Sequence, residues 1–346
     1  MHFIMQAKRI SKPCHPLKMA KKRFCDFYKM MPLKHFIQKN FFKIIMKNQF
    51  KKTVSLLVFS LFTISSLLAQ TSVFKRRDAY QTLSHIWELD SENNHETFLI
   101  TTYKPVYVLP FRFSSHRREA PFVVSVEDVP TEKQLELDNV EATLQLSLKT
   151  KVAQRIFGEG ALWIGYTQKS YWQVYNAEFS RPFRETNYEP EMIFNYPVNF
   201  NFLGLKTKML GVGFNHQSNG REGKQFSRSW NRFIIHAGFE DKQWSLFVRT
   251  WIGAEINENK DIKNYMGRGD ATFNYRLNKH LFTLHGQHSL RTGSNNHGNI
   301  ELDWAFPLHG NLTGYFQFSH GYGDAMIDYN QIHTIGGIGV VFSGTL

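Results

Sequence analysis

Apolar side chains recur at every second position along most of this chain. "ATLQLSL" sets Leu144, Leu146 and Leu148 on one face, and "ALWIGYTQ" does the same with Leu162, Ile164 and Tyr166. In "NRFIIHAGFE", Phe233, Ile235, Ala237 and Phe239 oppose Arg232, Ile234, His236 and Gly238. "QWSLFVRTWIG", "ATFNYRLN", "NIELDWAFPL" and "GIGVVF" repeat the pattern. Successive strand side chains point to opposite faces, so a period of two reads as a half-buried strand. Twelve such segments are expected, near 97–113, 141–151, 160–174, 190–203, 206–218, 229–239, 243–254, 267–278, 281–291, 299–307, 311–320 and 333–342.

After residue 70 no apolar run reaches the length of a spanning helix, about 20 residues. Short strands that alternate lipid-facing with lumen-facing side chains are the repeat of a membrane barrel. An even strand number lets an antiparallel barrel close, which removes edges that hydrocarbon cannot solvate. The expected fold is all-β: a twelve-stranded antiparallel transmembrane β-barrel over 96–346, in preference to an ordinary β-sandwich. "EDK" (240–242) is short, as a periplasmic turn should be. "NGREGKQFSRS" (219–229) and "GYGDAMIDYNQIH" (321–333) are long, as outer loops should be. Trp163, Trp172, Trp230 and Trp251 fall near strand ends, which suits aromatic girdles at the membrane interfaces.

The formal net charge of +13 suggests a polyanionic partner until it is located. Of 42 Lys/Arg and 29 Asp/Glu, residues 1–52 hold 14 and one (Asp26), so the rest is balanced at 28 against 28. A neutral body gives no reason to expect nucleic acid. Residues 53–69, "TVSLLVFSLFTISSLLA", follow Lys51 and Lys52 and read as a signal peptide cleaved near Ala69. The alternative is a single spanning helix, for which the run is a little short. Residues 1–69 read as a basic leader and signal peptide, for which a start at Met46 would give an ordinary length, and 70–95 as an extended or partly ordered N-terminal arm before the barrel. Both cysteines, Cys14 and Cys25, lie in the leader, so the exported chain has no disulfide or thiolate metal site.

One stretch breaks the alternation. In "LGVGFNHQSNG" the outward parity runs Leu210, Val212, Phe214 and then His216 and Ser218. On the next strand the outward set Phe233, Ile235, Ala237 extends back to Asn231. A hairpin through loop 219–228 would bring Asn231 beside His216. A serine hydroxyl needs a base to take its proton, and histidine is the usual one. An Asn carbonyl can fix the imidazole tautomer, without the cost of about 2–4 kcal/mol for a charge on a barrel's lipid face. Gly220, two residues after the serine, could offer its backbone N–H to an oxyanion. Arg221, Ser227 and the loop carbonyls supply hard oxygens of the kind calcium prefers. The bland reading of the H-x-S pair is two polar residues at a rim where headgroups begin.

"FNHQSNG" and "SRSWNR" (227–232) resemble the signature of the outer membrane phospholipase A family. "YTQKSYWQ" (166–173), "RPFRETNYEPE" (181–191) and "GYGDAMIDYN" (321–330) extend the likeness in the same order. The resemblance implies a calcium-dependent hydrolase of phospholipid and lysophospholipid acyl esters, active as a homodimer in the outer membrane. It implies Ser218 as nucleophile, His216 as base, Asn231 as its partner and Gly220 as an oxyanion donor. It also implies Ca2+ held by the Arg221 carbonyl, the Ser227 hydroxyl and the Ser180 carbonyl of the other subunit, with Gln168 at a polar dimer contact. The competing expectations are a non-catalytic porin-like barrel and a secreted soluble esterase.

Overall fold

The computed structural model describes residues 81–343 apart from 91–93, 116–118, 121–134, 179, 223–225, 255–258 and 311. The expected leader and signal peptide, and the first part of the arm, lie outside the described residues.

Twelve long strands form the wall. They are β1 (Val106–Ser114), β2 (Val140–Ile156), β3 (Gly160–Trp172), β4 (Phe183–Phe202), β5 (Leu205–Ser218) and β6 (Ser229–Glu240), then β7 (Trp244–Ala254), β8 (Gly269–Leu277), β9 (His280–His288), β10 (Gly298–Pro307), β11 (Thr313–Gly321) and β12 (His333–Ser343). Each pairs antiparallel with its sequence neighbours, and β12 pairs with β1, so the sheet closes. A short strand, Ile100–Thr102, adds to the edge of β2. Pro105 follows it; proline has no N–H to give a ladder, so the expected single segment 97–113 is split in two.

The wall is apolar outside and polar inside. Leu210, Val212, Phe233, Ile235 and Ile252 are exposed, while Asn215, Arg232, Ile234 and His236 are buried. The lumen holds a continuous set of charges. Glu141 accepts from Arg112 (3.0 Å) and Arg184 (2.9 Å), and Glu189 accepts from Lys104 (2.8 Å) and Arg232 (2.7 Å). Buried charges persist only when paired. Here residues distant in the chain supply each other's partners, and Lys104, Glu189 and Arg232 line a cavity of about 230 Å³.

This explains the largest boundary difference. β4 starts at Phe183 rather than near 190, because Arg184, Glu185, Asn187, Glu189 and Glu191 are inner-face strand residues. A dense run of charges resembles a loop until the lumen pairs them.

Both ends of the lumen are filled. At the short-turn end a helical turn, Leu83–Ile86, carries Leu83 and Trp87 into a cluster with Tyr103, Trp163, Met209 and Phe247. The Lys149 ammonium donates to the Ile86 carbonyl, and Glu88 accepts from Lys151 Nζ at 2.7 Å. Over 83–87, then, part of the expected arm is an ordered turn whose Leu83, Ser84, Ile86 and Trp87 are buried against the barrel's inner face. At the other end the segment 322–332 folds inward. Ala325 and Met326 are buried, and the Ile327 N–H donates to the Glu185 carboxylate at 3.0 Å.

The tryptophans correct the expected girdle. Trp163, Trp230 and Trp251 are buried on the inner face, where Trp230 and Trp251 pack with Ile262, Met266 and Met326. Of the four, Trp172 has the outward parity, stacked on Phe183 with ring centroids 5.3 Å apart. A tryptophan near a strand end fits either a girdle or a lumen plug, and its parity decides which.

Candidate active site

The β5–β6 hairpin aligns the candidate residues by register. His216 is the Cα partner of Asn231, and Ser218 is the partner of Ser229. On the other side of β5, Ser218 pairs with Tyr188, which in turn pairs with Gln168 on β3. His216, Ser218 and Asn231 share the parity of the exposed residues Val212 and Phe233, so all three lie on the outside of the barrel.

His216 Nδ1 lies 2.7 Å from Asn231 Oδ1. An amide oxygen only accepts, so that contact places a proton on Nδ1, and in the neutral ring the lone pair is then on Nε2. Ser218 is two residues along the same face, on the neighbouring pleat. Among the described residues no hydrogen bond joins Ser218 Oγ to the imidazole; such contacts often tighten only when substrate binds.

Gly220 leaves the strand with φ +64, in the left-handed region that favours glycine. A Cβ there would come within 2.8 Å of Tyr188 Cε2. The backbone angle and the Tyr188 ring both favour glycine here.

Loop 219–228 is organised by a residue that the sequence reading did not single out. Asn219 is buried, and its Oδ1 accepts from the Arg228 N–H at 2.9 Å and the Arg221 N–H at 3.4 Å. Its Nδ2 donates to the Phe226 carbonyl at 2.8 Å. One amide oxygen reaches both N–H groups only if the two arms of the loop converge, so Arg221 and the Ser227–Arg228 segment are held close. The Arg221 guanidinium donates to the Arg184 carbonyl, and burial holds it below the ordinary arginine range against the pull of Glu185. Ser180 stands apart in the β3–β4 turn with φ +58, exposed, its N–H donating to the Ala177 carbonyl at 3.3 Å. Among the described residues no hydrogen bond ties Ser180 to loop 219–228.

Among the described residues no cluster of three or more His, Cys, Asp or Glu side chains is placed to hold a metal. A cation at this loop would be held by carbonyl and hydroxyl oxygens, a donor set that suits a hard ion and no soft one.

Comparison with known proteins decides the family. A family model described as Phospholipase A1 matches residues 83–342. The chain belongs to the phospholipase A1 family. A putative phospholipase A1 from Neisseria meningitidis serogroup B is 36% identical over 286 residues, covering 80% of this chain and 74% of that protein. Solved structures are similar as well, two of them as follows. One is the Salmonella typhi outer membrane phospholipase dimer with bound calcium, with TM-score 0.65 and 28% identity over 78% of this chain and 99% of that one. The other is an active-site asparagine-to-alanine mutant of the Escherichia coli outer membrane phospholipase A, with TM-score 0.65 and 30% identity over 75% and 98%. This phospholipase carries the family's closed twelve-stranded barrel and hydrolyses acyl esters of phospholipids.

Within a phospholipase the blocks that resembled the family take on physical roles. "RETNYEPE" supplies the inner charges of β4, and "GYGDAMIDYN" is the inward-folded plug. Within the first block Tyr188 faces outward as the Cα partner of Ser218.

Proposed function

We propose that this phospholipase is a calcium-dependent serine hydrolase of the bacterial outer membrane, working as a homodimer through Ser218, His216, Asn231 and Gly220. The observation that carries the reading is the 2.7 Å contact between His216 and Asn231 on the outward face, with Ser218 on the same face. Polar side chains on an apolar wall are costly unless used. A site on that wall meets a lipid from the bilayer itself, with no passage through the lumen.

In this mechanism Asn231 holds the imidazole tautomer that leaves Nε2 free. His216 takes the Ser218 proton as Oγ attacks the ester carbonyl. The C–O bond to the alcohol breaks, and His216 delivers the proton to the leaving oxygen. Water then attacks the acyl-serine by the same base and frees the fatty acid. The Gly220 N–H is placed to donate to the developing oxyanion.

The metal reading rests on the donor set: the Arg221 carbonyl and the Ser227 hydroxyl, brought together by Asn219, with Ser180 contributed by the partner subunit. A hard cation bound there would add positive charge beside the oxyanion. Gln168 supports the dimer reading: it is outward-facing, half-buried, and on the same cross-strand row as Tyr188 and Ser218. It donates to Ser170 Oγ at 3.3 Å and accepts from the Tyr166 hydroxyl at 3.0 Å, a polar strip on an apolar wall. The filled lumen argues against a passive pore.

The test is hydrolysis of phospholipid in mixed micelles, with calcium or chelator, for wild type and Ser218→Ala. The expected result is calcium-dependent turnover that the substitution lowers by about 10³-fold or more. Full turnover by Ser218→Ala would overturn the assignment.

A further inference from the structure

One row below the His216–Asn231 pair, the outer wall carries an apolar groove of about 610 Å³. Its two banks are cross-strand rows fixed by register. The upper row contains Phe214, Phe233 and Ile252, which are successive Cα partners on β5, β6 and β7. The lower row contains Phe194, Val212 and Ile235 on β4, β5 and β6. Rows two residues apart on one face are separated by about 7 Å, which leaves room for one polymethylene chain between them. The Phe214 and Phe233 rings pack against each other with centroids 5.2 Å apart and form the bank nearest the polar pair.

Position along β5 says which part of the substrate reaches the groove. Going down the outward face, the order is Ser218, His216, Phe214, Val212. The ester carbonyl meets Ser218. The leaving oxygen must lie over His216, because His216 gives it a proton. Whatever is attached to that oxygen continues downward, toward Phe214. In a diacyl phospholipid the leaving alcohol still carries the second acyl chain. We infer that the groove between these rows is the subsite for the acyl chain that is not being cleaved, and that filling it with that chain raises turnover of diacyl phospholipid relative to lysophospholipid. The inference rests on the assignment of Ser218 and His216 above.

The test fills the groove. Val212→Trp is compared with Leu302→Trp, an exposed position on the outward face of β10. Each variant is assayed on a diacyl phosphatidylcholine and on the matching lysophosphatidylcholine in the same detergent. The expected result is that Val212→Trp lowers the diacyl-to-lyso ratio of kcat/KM about tenfold, the scale of a mis-shaped hydrophobic pocket, while Leu302→Trp leaves the ratio unchanged. An unchanged ratio in Val212→Trp, whether both activities hold or both fall, would overturn the subsite. Ser218→Ala separates the two failures: if it stays active the catalytic assignment fails, and if it is dead while the ratio does not move only the groove fails.

Discussion

Asn215 and His216 are neighbours in the chain and lie on opposite sides of the barrel wall. Asn215 donates to Glu191 at 2.8 Å and accepts from Arg232 Nε at 2.9 Å inside the lumen. His216 meets Asn231 outside. Gln217 repeats the device one residue on, accepting from Trp230 Nε1 at 2.9 Å. The outward residues are held by inward ones that never see substrate. Preorganisation of this kind is what a reaction at an exposed surface needs.

Asn231→Ala removes the group that fixes the imidazole. His216 then samples other tautomers and rotamers, but the base itself stays. We expect kcat to fall by less than the about 10²–10⁴-fold that general-base catalysis supplies, with KM little changed. Steady-state kinetics beside Ser218→Ala checks this, and the asparagine variant should keep measurable turnover where the serine variant does not.

Gly220→Ala should lower kcat through the backbone. An L-residue in the left-handed region costs about 1–2 kcal/mol, and the new Cβ meets the Tyr188 ring. The loop shifts and carries the candidate oxyanion donor with it. Loss of one such donor costs about 10²–10³ in kcat, so a displaced one should cost part of that. Gly204→Ala is the comparison. It also has positive φ, at +83, with nothing within 4 Å of the added Cβ and no part in the site, so its kcat should be unchanged.

Arg232→Met should destabilise the barrel and slow it. The substitution removes one of the donors to Glu189 and leaves Asn215 Oδ1 without the donor that Arg232 gave it. Breaking a buried pair costs about 3–5 kcal/mol. Lys104 still neutralises Glu189, so about 3 kcal/mol is expected. Urea unfolding in detergent micelles reads the loss of stability, and a fall in kcat at constant KM reads the loosened β5–β6 pair.

Acid should release the inner turn at 81–90. Burial alone would raise the Glu88 carboxyl, but the hydrogen bond from Lys151, the His95 N–H and the Lys151 charge outweigh it, so Glu88 sits below the ordinary 4.5. A carboxyl lowered in the folded state stabilises above its unfolded value, and that stability is lost as pH falls through the folded one. Exchange protection of the 81–90 amides should therefore hold near neutral pH and fall below about pH 4. Glu88→Gln should flatten the profile; an unaltered profile in that variant would remove Glu88 as the anchor.

The sequence by itself determined the wall and the trio on it. Period-two alternation located the strands, and parity put His216, Ser218 and Asn231 on the apolar face, because both depend only on the pleat. Hairpin connectivity between neighbouring strands did the rest. Parity left the tertiary questions open. It could mark Trp163, Trp230 and Trp251 as inner residues, but whether the lumen was a channel or a plugged core needed the elements that fill it. The pairing of Arg184 with Glu141, of Arg232 with Glu189, and the capture of Leu83 and Trp87 by the barrel join residues far apart in the chain. Asn219 hid for a related reason: its value lies in reaching both arms of a loop at once, and only the folded loop brings those arms together. Local periodicity is written in the chain, while the partners of buried charges are chosen by closure.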